Sequence, residues 1–162
     1  MSEASPALSF SQLVAESLEH VEEIFPWDLE ELIEGDSDIL LLDVREPHEY
    51  AAMHVRNSIN VPRGVLESAC DWGYEETVPE LAQARERDII VICRSGNRSA
   101  LACEVMQRMG YRSVRSLKTG LRGWNDYEQE LVDENGNVVD IEAADAFFAS
   151  KVSKEQLGPQ AA

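Results

Sequence analysis

Cys93 stands where an apolar run, Ile89 to Ile92, stops. The residues after it are Arg94, Ser95, Gly96, Asn97, Arg98 and Ser99, and a helix-like pattern follows as far as Gly110. A helix start offers unpaired N–H groups and roughly half a positive charge. Gly96 lets the loop take positive φ and turn its amides inward as an anion-binding nest. Arg94 and Arg98 add permanent positive charge. Each of these favours a thiolate over a thiol, and the thiolate is the nucleophile. The same loop would cradle an oxyanion. Cys93 is therefore the candidate catalytic residue, and Arg94, Ser95, Gly96, Asn97, Arg98 and Ser99 are the candidate substrate-binding loop.

Other reactive side chains have plainer roles. Cys103 shares a helix face with Ala102 and Met106 and reads as core. Cys70, in "ESACDWGYEE", could border the site as a second thiol. His48 and His54 fall beside turns and read as structural. Three scattered histidines and no Cys-x-x-Cys pair leave no metal site. No dinucleotide or Walker loop is present, so no cofactor is expected. Trp27, Trp72 and Trp124 read as packing residues, with Trp72 the one placed to line a site mouth.

The elements that must hold Cys93 follow from periodicity. Residues 38–44, "DILLLDV", and 88–93, "DIIVIC", are apolar on consecutive positions, as in strands covered on both faces. "SINVP" and "VRSL" (114–117) add two shorter strands. Helices are expected over 8–19 with Ser9 or Ser11 as cap, over "PWDLEELIEG", "EPHEYAAMH", 79–87, 98–109 and "GLRGWNDYEQEL", and finally over "IEAADAFFASKV". Gly110 closes the 98–109 helix as a left-handed cap, and "ENGN" marks a turn. Strands alternating with helices predict an α/β protein with a mostly parallel sheet, whose ligands sit beyond the carboxyl ends of the strands. Cys93 lies at such an end.

The 162 residues fit one domain with a real core. A net charge of −17 argues against nucleic acid and anionic membranes as partners. The charge is uneven. Residues 1–50 hold 14 acids and one base, whereas residues 51–124 hold 8 acids and 11 bases around the cysteine loop. An anionic small substrate fits that distribution. The N-terminus shows no basic-then-apolar leader, and three irregularly spaced cysteines do not form a disulfide framework, so a reducing, cytoplasmic location is expected.

"LLDVREPHEY", "INVP", "VICRSGNRSALA", "MGYRSV" and "LKTGLRGW" come in the order and spacing of a single-domain rhodanese. The chain resembles that sulfurtransferase family over residues 20–128, leaving 1–19 as an acidic helical lead-in and 129–162 as a C-terminal extension with a helix. The resemblance implies a three-layer fold with a central, mostly parallel five-stranded sheet flanked by helices. It also implies that Cys93 takes a sulfane sulfur from a donor such as thiosulfate and passes the persulfide sulfur to cyanide, a small thiol or a protein thiol. Asp43 and Arg45 match the family's "DVR" signature, an internal ion pair supporting the loop. The chain departs from the pattern at Met53-His54-Val55, where Gly-His-Ile is common, and at Thr119-Gly120, where two glycines are usual.

Two rivals keep the same nucleophile. Cysteine-dependent phosphatases and arsenate reductases place five residues between cysteine and arginine, and only four stand between Cys93 and Arg98. A persulfide carrier exchanging sulfur with a partner protein needs the same loop.

Overall fold

The structure is a computed structural model that describes residues 4–35 and 37–159. The outermost residues of the lead-in and of the C-terminal extension, 1–3 and 160–162, lie outside the described residues. Ile39–Asp43 (β2) and Asp88–Ile92 (β4) pair in parallel at the centre of the sheet. Their apolar side chains alternate between two cores. Leu40, Leu42, Ile89 and Val91 face one, and Leu41, Ile90 and Ile92 face the other. A strand sandwiched in this way has no solvent face to keep polar, hence the continuous apolar runs.

Ser113–Leu117 (β5) lies beside β4 and Ile59–Asn60 (β3) beside β2. The fifth strand, Glu22–Ile24 (β1), pairs in parallel with β5, giving the order β1-β5-β4-β2-β3. Among the described residues every pairing within this sheet is parallel, and two isolated antiparallel bridges, His54 to Val132 and Val132 to Val138, lie outside it. β1 has no periodic signature of its own: two of its three residues are exposed glutamates, and only Ile24 is buried. Its pairing with β5 makes it a strand, which residue-level reading could not see.

Phe10–Leu18 (α1) opens with a capping box in which Ser9 Oγ accepts from the Gln12 amide and Gln12 Oε1 from the Ser9 amide. Pro26–Glu34 (α2), Pro47–Ala52 (α3) and Asn97–Arg108 (α6) fall where expected. Gly110 takes φ 92° after α6. Leu66–Ala69 (α4) forms a short helix after β3 that no sequence pattern announced.

Three helices stop short of expectation. Pro79–Ala82 (α5) ends because the Arg85 guanidinium turns back to bond the carbonyls of Ala82, Cys70 and Met109. Gly120–Asp126 (α7) ends where Glu128 adopts φ 60° and the Trp124 indole N–H bonds the Glu130 carbonyl. The last α-helix, Ile141–Phe148 (α8), is capped by the Asp140 carboxylate on the Ala143 amide and ends before the expected Val152 because Ala149 is extended, with φ −62° and ψ 145°. Side chains of α4, α5 and α6 pack on one sheet face and those of α2, α7 and α8 on the other, a three-layer α/β fold. Among the described residues, no helix is long and apolar enough to cross a membrane.

Candidate active site

Cys93 follows β4 directly and is 1% exposed. Its Sγ accepts from two amides, Gly96 at 3.1 Å and Ser99 at 3.3 Å, and shares a hydrogen bond with the Ser99 hydroxyl at 3.2 Å in which either group can donate. Ser99 Oγ is held in turn by Ser116 Oγ, 2.7 Å away on β5. Two N–H groups thus converge on one sulfur, the geometry of a backbone nest. Gly96 makes the convergence possible. It sits at φ 92° as the residue before α6, and a Cβ there would also press 3.3 Å from the Thr119 amide nitrogen.

If amides point inward, the matching carbonyls must be bonded elsewhere. The Leu121 and Arg122 amides, at the start of α7, donate to the carbonyls of Cys93 and Arg94 at 2.9 and 3.0 Å. This contact requires Gly120, whose Cβ would lie 2.5 Å from the carbonyl oxygens of both residues. Where the family usually has another glycine, Thr119 takes φ 65°, a conformation costing a residue with a Cβ roughly 1–2 kcal/mol. Its side chain lies over Gly123, where an added Cβ would overlap Oγ1 and sit 2.5 Å from the Thr119 Cβ. Gly123→Ala is therefore expected to destabilise the protein by about 1–3 kcal/mol. The double variant Thr119→Gly/Gly123→Ala should regain most of that loss. Urea unfolding of the three proteins decides it, and an undisturbed Gly123→Ala would refute the overlap.

Beneath the loop, Asp43 and Arg45 form a wholly buried ion pair at 2.8 Å, and Arg45 Nη2 also donates to the Met53 carbonyl. Arg98 reaches Glu49 on α3 through two parallel hydrogen bonds of 2.9 and 3.1 Å. Burial pushes the Glu49 carboxyl up. The Arg98 hydrogen bonds, the Glu46 amide and the charges of Arg98 and Arg45 outweigh that and hold it below the usual carboxylate range. The brace thus stays ionised at neutral pH and weakens only as pH falls through this lowered value.

Arg94 takes another course. Its guanidinium donates to Ser95 Oγ and to the backbone carbonyl of Phe148, at the end of α8. Among the described residues it makes no carboxylate ion pair, whereas Arg56, Arg63, Arg87 and Arg112 pair with acids. Arg94, Ser95, Asn97 and Arg98 line a cavity of about 200 Å3 over Cys93. The aromatic at that mouth is Phe10 of α1, not Trp72, which is exposed in the loop after α4. Cys70 and Cys103 are buried in the core. Trp124 is packed inside, while Trp27 is half exposed and stacks on Phe25. His54 stacks on Tyr50 and bonds its carbonyl. Of the residues missed by sequence reasoning, Glu49 lay inside the "DVREPHEY" motif. Phe10 and the Phe148 carbonyl carried no signal, being respectively one apolar residue among several and a backbone atom.

A family model described as the rhodanese-like domain matches residues 26–127. The chain belongs to the rhodanese-like family. A sulfurtransferase from Allochromatium vinosum is 28% identical over 72% of this chain and 99% of its own length. The adenylyltransferase and sulfurtransferase MOCS3 of Drosophila virilis is 38% identical over 54% of this chain, which spans only 19% of that longer protein. A crystal structure of a rhodanese-related protein from Thermoplasma volcanium superimposes with a TM-score of 0.57 at 30% identity, covering 70% of this chain and 99% of that one. This rhodanese-like chain therefore has relatives whose shared chemistry is sulfur transfer.

Proposed function

We propose that the chain is a thiosulfate sulfurtransferase of the rhodanese type, working through a persulfide on Cys93 in a reducing, cytoplasmic setting. The observation that carries this reading is the convergence of the Gly96 and Ser99 amides on Cys93 Sγ. In the donor step the Cys93 thiolate attacks the outer sulfur of thiosulfate. A new S–S bond forms, the S–S bond of thiosulfate breaks, and sulfite leaves with the electron pair. The outer sulfur of the Cys93 persulfide carries the negative charge. The first amides of α6 have no carbonyl within the helix to bond, so they are free to meet it. Arg94 at the cavity supplies the positive charge that a dianionic donor needs, while Arg98, paired with Glu49, fixes the wall of the loop and Asn97 and Ser95 add polar lining. Asp43 and Arg45 hold the strand end below.

The small cavity favours thiosulfate over a partner protein as donor, since Cys93 is almost wholly covered. The four-residue spacing from Cys93 to Arg98 leaves a tighter ring than a phosphoryl group requires. Incubation with thiosulfate followed by intact mass measurement should show one added sulfur and one equivalent of sulfite released. Cyanide or a thiol should then remove it. Absence of uptake from thiosulfate, with uptake from a persulfidated protein, would favour a carrier instead.

A further inference from the structure

Residues beyond 127 fall outside the matched family region, yet they are seated against the catalytic loop. Phe148 is 2% exposed and packs in the core that contains Leu121 and Trp124 of α7. Asn125 Nδ2 donates to Asp145 Oδ1 at 2.6 Å, tying α7 to α8. The Phe148 carbonyl then receives the Arg94 guanidinium. Lys151 closes the end of α8, its Nζ donating to the Phe147 carbonyl at 2.9 Å and lying 5.5 Å from the Phe147 ring centre.

Between this segment and α3 runs a groove of about 420 Å3, lined by His48, Glu49, Arg94, Phe147, Lys151 and Gln156 among others. Arg94 lines both this groove and the smaller cavity over Cys93. The Arg98–Glu49 pair joins one to the other. The groove is within the size range of small-molecule sites, about 300–1,000 Å3. Its charge is set by Arg94 and Lys151, because the Glu49 carboxylate is already neutralised by Arg98. A cationic groove beside the nucleophile, in a chain of net charge −17, selects an anionic ligand small enough to enter.

Building on the sulfur-transfer reading, we propose that this groove is the acceptor subsite and that it takes a small thiol bearing a carboxylate. The carboxylate lies between Arg94 and Lys151 while the thiol sulfur reaches over to Cys93. The acceptor thiol first loses its proton to solvent. Its thiolate attacks the outer sulfur of the Cys93 persulfide, forming a new S–S bond as the bond from that sulfur to Cys93 Sγ breaks. The electron pair returns to Sγ, which regains the Gly96 and Ser99 donors. The sulfane sulfur changes carrier, with no net oxidation or reduction.

The test loads the full chain with sulfur from thiosulfate and removes excess donor. It then follows unloading by mercaptosuccinate or by uncharged 2-mercaptoethanol through intact mass. Lys151→Glu is expected to raise the half-saturating mercaptosuccinate concentration about tenfold or more and to leave 2-mercaptoethanol within about twofold. Lys151→Arg should behave as the parent protein. Lys151→Met removes the charge without setting an anion at the end of α8 and should give a smaller loss confined to mercaptosuccinate. Equal losses on both thiols would assign Lys151 a purely structural role, and no loss on either would place the acceptor elsewhere. Either result overturns the proposal. Should thiosulfate fail to load the chain, the donor reading falls by itself, and loading with inorganic polysulfide lets the same comparison proceed.

Discussion

Cys93→Ser is expected to lower sulfur transfer at least about a thousandfold, while Cys70→Ser and Cys103→Ser keep most of it. A serine hydroxyl stays protonated near neutral pH and cannot carry a sulfane sulfur. Only Cys93 faces inward-turned amides. Burial pushes the Cys103 thiol up, and the nearby Cys93 adds to the shift. Burial also raises Cys70, against smaller opposing effects from Tyr111 and Arg85. Both remain neutral thiols enclosed in the core. Turnover of the three variants, with intact mass after thiosulfate, measures the contrast. Sulfur uptake by Cys93→Ser would remove the proposed mechanism.

Arg45→Met is expected to give the largest loss of stability, about 3–5 kcal/mol. That is a large share of the roughly 5–15 kcal/mol that holds a typical domain folded. Arg45 is fully buried, and it supplies most of the hydrogen bonds to the Asp43 carboxylate. Removing it leaves that carboxylate buried with only the backbone amide of residue 45 as donor. The loss corresponds to a fall in Tm of roughly 6–20 °C for a chain of this size. Asp43→Leu/Arg45→Met deletes both charges and should recover part of the loss, because the expense lies in the orphaned charge. A cost below about 1 kcal/mol for Arg45→Met would show that water reaches Asp43 freely.

The central strands were legible because sandwiching between helices writes itself into consecutive apolar residues, as in "ILLLD" and "DIIVI". The cysteine loop was legible because its residue types are those that an anion cradle requires, and Gly96 does take positive φ. β1 was not, since its two exposed glutamates become strand only through a neighbour 93 positions away, Glu22 beside Arg115. The α5 and α7 ends were missed for a similar reason: the Arg85 guanidinium and the Trp124 indole stop them by contacts distant in sequence or beyond the helix. The bond from Arg94 to the Phe148 carbonyl carried no sequence signal, because it depends on where α8 docks.

Thr119 and Gly123 bear on the order in which substitutions can be accepted. With glycine at position 119, position 123 is open to alanine, which a helix prefers by about 1 kcal/mol. Once threonine occupies position 119 its side chain fills that space, and the alanine route closes. A lineage that had already gained alanine at position 123 would meet the same cost, about 1–3 kcal/mol, on then taking threonine at position 119. The two states are separate branches, joined without that cost through an ancestor with glycine at both positions. Directed evolution that randomises one position alone stays on one branch, and crossing takes changes at both positions, in one paired library or in successive rounds that pass through glycine at position 119.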